Sequence, residues 1–117
     1  MDSRKIPHFF NNVLIRLGIY DWELIIKDNS TEGYCWNYNK TIVIGWKAKE
    51  PFSLILHEIA HINTCRFCNN KHNLVFWKTY RDLLRRFLPN YKISESELKW
   101  EKSTQDIGYH RRTYEKT

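Results

Sequence analysis

Apolar residues recur along this chain first with a helical and then with an alternating period, and the change of period lays out the elements. From Pro7 to Leu17, the residues Phe9, Phe10, Val13, Leu14 and Leu17 fall at helical spacing, and Gly18 follows as a stop. Trp22–Ile26 reads as a strand, and Asp28-Asn29-Ser30-Thr31-Glu32-Gly33 carries turn chemistry. Tyr34–Trp36 and Thr41–Trp46 are expected to form a hairpin across Asn37-Tyr38-Asn39-Lys40. Pro51 stands where a helix would begin, with its fixed φ and dispensable N–H. After a polar loop a further helix is expected from about His72 to Leu88, ended by Pro89. Ser94-x-x-Glu97 reads as a capping box for a short last helix. The order predicts an α+β fold, with a small antiparallel-type sheet packed on the Pro51 helix. One domain spans residues 1–102, and a polar tail covers 103–117.

The Pro51 helix breaks the amphipathic rule. Leu54, Ile55, Leu56, Ile59, Ala60 and Ile62 make it apolar on nearly every side, so it should be buried. The exceptions form the motif His57-Glu58-x-x-His61. Residues four apart stack on one helical face, so the two imidazoles can offer nitrogens to one Zn²⁺. Glu58 sits roughly 100° around the same helix, close enough to polarise a water on the metal. A buried carboxylate needs a partner, and that water supplies one. The bland alternative, two histidines satisfied by ordinary hydrogen bonds, leaves Glu58 without a task.

A catalytic zinc needs a third protein ligand and one open position. His72, eleven residues after His61, is the preferred candidate, with Phe76 and Tyr80 following at four-residue intervals. Asp82, Glu95 and Glu97 compete, because a downstream carboxylate can serve as third ligand.

His57-Glu58-x-x-His61, a loop, and then His72 with Phe76-Trp77 resemble the minimal gluzincin-like metallopeptidases. Two groups share the likeness. His72 with Phe76-Trp77, followed by Leu88-Pro89-Asn90-Tyr91, is similar to the YgjP-like metallopeptidases. The longer gap between His61 and His72, with Gly33-Tyr34-Cys35 before the strand Thr41–Gly45, is similar to the SprT-like (Spartan) proteases. The likeness covers about Trp22 to Tyr91. Asn73 stands where SprT-like proteins usually have Gly, and the loop is longer than the YgjP-like one. The resemblance implies a minimal zincin fold and zinc-dependent hydrolysis of peptide bonds, with DNA-associated proteins as a substrate class. In such folds a sheet edge lies beside the metal and an extended peptide can add to it. Thr41–Trp46 is the strand nominated for that edge, although Ile42-Val43-Ile44 fits a core strand equally well.

Composition adds bounds rather than chemistry. At 117 residues the chain suits one domain with a modest core. No run reaches the length of a membrane span, and no apolar signal core follows Met1–Lys5. Three cysteines argue against a secreted disulfide framework, so a cytoplasmic, reducing setting is expected; a monomer is expected as well. Cys65 and Cys68 form a C-x-x-C; with Cys35 and His72 as the available partners they could make a second metal site, or with each other a redox pair. The plainer expectation is two reduced loop cysteines. The net charge of +6 leaves nucleic acid open. Lys78, Arg81 and Arg85 share a helical face and could meet phosphates, although such a stripe is more often a solvated surface.

The expected mechanism follows from zinc chemistry. Zn²⁺ lowers the pKa of its bound water from 15.7 to about 7, Glu58 takes the proton, and the hydroxide attacks a peptide carbonyl. Glu58 then returns the proton to the leaving amine. Tyr80, Tyr91 and His110 are candidates for holding the oxyanion. The alternative is a non-catalytic, basic nucleic-acid-binding module with a structural zinc.

Overall fold

A computed structural model describes residues 5–48, 50–68, 72 and 74–103, with the last turn of its central helix, 65–68, described for its backbone. The fold is α+β. Its elements are α1 (Lys5–Leu17), β1 (Glu23–Lys27), β2 (Gly33–Trp36), β3 (Thr41–Gly45), α2 (Pro51–Cys68), α3 (Leu74–Phe87) and α4 (95–103). They group into two compact units, Met1–Ile62 and Asn63–Thr117.

In the first unit α1 ends as the Gly18 signal predicts. Gly18 has φ 69°, its N–H donates to the Ile15 carbonyl at 3.1 Å, and the Ile19 N–H donates to Leu14 at 3.0 Å. Those are the paired bonds of a Schellman cap, which a side chain with a Cβ would strain. Ile6, Phe10, Val13 and Leu14 are the residues α1 buries.

The sheet corrects the expectation of an antiparallel arrangement. Its strand order is β1-β3-β2. The β2–β3 hairpin is antiparallel as expected, with Tyr34 opposite Val43 and Trp36 opposite Thr41. β1, however, runs parallel to β3, with Ile25 opposite Val43. β3 is therefore the central strand and has no open edge, so the edge nominated from sequence is the wrong one. All five of its residues are buried, so this strand is covered on both faces as well as paired at both edges. The open edges belong to β1 and β2.

The physical reason lies in the β1–β2 connection, which passes over the end of β3. Gly45 donates its N–H to the Glu32 carbonyl at 2.7 Å, and Lys47 donates to Ser30 at 2.9 Å. A Cβ on Gly45 would lie 2.2 Å from the Ser30 carbonyl oxygen, so only glycine admits the crossing chain. Asn29, at φ 59°, turns that chain. The same Asp-Asn-Ser residues would serve a simple hairpin, which is why sequence alone does not distinguish the two.

α2 begins at Pro51 as expected. Ser53 donates its hydroxyl to the Glu50 carbonyl at 3.1 Å, and the Leu54 N–H donates to the same oxygen at 3.1 Å. Ile55, Leu56, Ile59 and Ala60 are fully buried, and burial of each larger side chain contributes about 1.5–3 kcal/mol.

In the second unit α3 starts at Leu74, so His72 precedes the helix rather than opening it. Phe76, Trp77, Tyr80, Leu83 and Leu84 form its buried face. The Ser94 cap is present: its Oγ accepts the Glu97 N–H at 3.2 Å. The Glu97 side chain does not complete the box, because it accepts from the Tyr80 hydroxyl instead. No helix of the described residues is long and apolar enough to cross a membrane.

Candidate metal centre

His57 and His61 lie one turn apart on α2, with ring centroids 5.3 Å apart and planes at 72°. Both are buried, His57 at the borderline with 9 % exposure. The Nδ1 atom of His61 is buried and takes no hydrogen bond among the described residues.

His72 is fixed by its neighbours rather than by a helix. Its carbonyl accepts the Trp77 indole N–H at 3.0 Å, and its ring meets Phe76 edge-on at 4.8 Å and Trp100 at 4.5 Å. This desolvation pushes the imidazole pKa down to about 4, so the ring is neutral near pH 7 and carries a lone pair. One nitrogen from each of His57, His61 and His72 lies within 4.8 Å of the others, close enough to bind one metal ion. Three imidazoles are a donor set suited to Zn, Cu, Fe or Ni. Asp82, Glu95 and Glu97, the competing third ligands, are not in that cluster.

Glu58 is 5 % exposed, and no hydrogen bond or ion pair of its carboxylate is found among the described residues. Burial alone pushes its pKa up to about 8. A cation nearby would favour the ionised form and bring that value down. Sequence reasoning overlooked one neighbour. A Cβ on Gly33 of β2 would lie 3.1 Å from Glu58 Oε2 and 3.1 Å from Leu54. The edge strand thus passes directly against the carboxylate, and the lone glycine at its start was the available signal.

No family model, curated protein or solved structure matches this chain.

The remaining candidates fall as follows. Tyr80 is buried with its hydroxyl donated to Glu97, at 3.2 Å to one carboxylate oxygen and 3.3 Å to the other. Tyr91 is half-buried beyond α3, and His110 lies outside the described residues. On α3, Arg81 is held by Glu101 and Arg85 by Asp82, while Lys78 is exposed. Cys35 is half-buried on β2. Cys65 and Cys68 fall on the last turn of α2 rather than in the expected loop; their side chains, and the tail from 104 onward, lie outside the described residues.

Proposed function

We propose that this chain is a zinc-dependent peptidase of the minimal zincin kind, akin to the SprT-like and YgjP-like proteases. The observation that carries the reading is a buried carboxylate, Glu58, without a neutralising partner among the described residues, on the same helix as two of the three clustered histidines. A structural metal site closed by four ligands has no use for such a group. Three ligands and an adjacent base do.

His57, His61 and His72 would hold the ion. Bound there, Zn²⁺ supplies Lewis acidity and makes a water acidic near neutral pH. Glu58, beside that position, would serve as the base that takes a proton from water and returns it to the leaving amine nitrogen. Burial raises the pKa of the metal-free carboxyl to about 8, and a bound cation would lower it and favour the ionised form that takes a proton. The open edge of β2, next to Glu58 at Gly33, is where an extended substrate would pair its backbone. Contact with DNA is not part of this reading, since Arg81 and Arg85, two of the three cations of the nominated stripe, already have carboxylate partners.

The test is Glu58→Gln. The variant keeps the three ligands but removes the base, so it should retain metal at the wild-type level. Turnover of an unstructured protein substrate should fall about 10²–10⁴-fold, the usual worth of a general base. A variant with wild-type turnover would refute the proposal.

A further inference from the structure

The three histidines are not fixed in the same way. His57 and His61 sit inside a helix, whose backbone sets their direction. His72 lies outside any helix, two residues before α3 begins. Its ring direction therefore depends on what touches it. Phe76 and Trp77 come from the helix that follows, and Trp100 comes from α4, far along the chain.

α4 presents a matched face to α3. Glu97, Trp100 and Glu101 are spaced i, i+3, i+4, and so are Trp77, Tyr80 and Arg81. Each residue of one set meets one of the other. Trp77 and Trp100 pack edge to face at 5.3 Å and 89°, the Tyr80 hydroxyl donates to Glu97, and Arg81 donates two hydrogen bonds to Glu101. Glu101 is 8 % exposed while the Arg81 side chain is 37 % exposed, so this last pair is a charge-assisted contact buried on the carboxylate side only. Trp100 itself stays 40 % exposed. Its ring meets the Trp77 indole and the His72 imidazole.

We propose that α4 is a clasp on the third metal ligand. The Trp100 indole is a positioning group that holds the His72 imidazole in its ligating direction, while Glu97 and Glu101 fasten the clasp to α3. The proposal rests on the three-histidine reading above and adds a residue that touches neither metal nor substrate.

The test uses the full chain, titrated with Zn²⁺ or Co²⁺ alone against a chromogenic chelator, comparing wild type with His72→Ala, Trp100→Ala, Trp100→Phe and Glu101→Gln. Outer partners of a metal ligand are typically worth about 10–100-fold in affinity. Trp100→Ala should weaken metal binding within that range, and the visible spectrum of its Co²⁺ form should move toward that of His72→Ala. Trp100→Phe, which keeps a ring against the imidazole, should restore both. A loss of packing elsewhere would lower thermal stability without giving the Co²⁺ spectrum of a missing ligand. If Trp100→Ala loses its helical circular dichroism, Glu101→Gln carries the test, with a weaker metal affinity expected. Wild-type affinity and spectrum in Trp100→Ala, beside a defective His72→Ala, would overturn the clasp alone. Wild-type metal binding in His72→Ala would overturn the three-histidine site together with it.

Discussion

At the scale of single residues, Glu58 decides most. Its folded pKa of about 8 lies above the ordinary 4.5, so in the metal-free protein the neutral form is the favoured one. Its contribution to stability is therefore fully present below pH 4.5 and is lost as pH rises toward 8. At 1.36 kcal/mol per pKa unit, the loss is on the order of a few kcal/mol. Chelator-treated wild type should thus become easier to unfold in urea between pH 5 and 8 relative to chelator-treated Glu58→Gln, which has no charge to bury. Parallel pH profiles for the two proteins would mean that Glu58 is solvated in solution. Gly33 is the second decisive residue. In Gly33→Ala the new methyl group must displace either Leu54 or the Glu58 carboxylate, each 3.1 Å away. Metal content should be unchanged while kcat falls about tenfold, equivalent to about 1.4 kcal/mol of barrier. Wild-type kcat would show that the carboxylate tolerates the methyl group.

Elements are unevenly legible in the sequence. The helices can be read because their signals are local. Gly18 ends α1 in a cap that needs positive φ, Pro51 opens α2, and Ser94 caps α4. The sheet cannot be read in the same way, because pairing is not local. Asp28-Asn29-Ser30 signals a turn but does not say how many strands the turn steps over. The residues that do bear on it are Gly45, whose lack of a side chain admits the crossing chain, and the unbroken run Ile42-Val43-Ile44. Centrality of β3 has an energetic consequence. Ile44 is fully buried, and its truncation to Ala should cost about 2–5 kcal/mol. Ile25, on the outer strand and 45 % exposed, should cost about 1 kcal/mol or less. Equal costs in urea denaturation would contradict the β1-β3-β2 order.

For the whole molecule, the central claim is that one metal ion joins ligands drawn from separate parts of the chain. His57 and His61 are legible because their four-residue spacing, with a glutamate between them on an otherwise apolar helix, aims two imidazoles at one point. His72 is legible as a candidate, but its competition with Asp82, Glu95 and Glu97 is resolved only by position. Asp82 is taken up by Arg85 and Glu97 by Tyr80. The dependence of His72 on Trp100 is not legible, because nothing in the residues between them indicates that they meet. The most direct measurement is the metal content of the purified protein by mass spectrometry, for wild type, His61→Ala and His72→Ala. The account predicts one zinc per wild-type chain and loss of that zinc in both variants. A chain that holds no zinc even after reconstitution would contradict it.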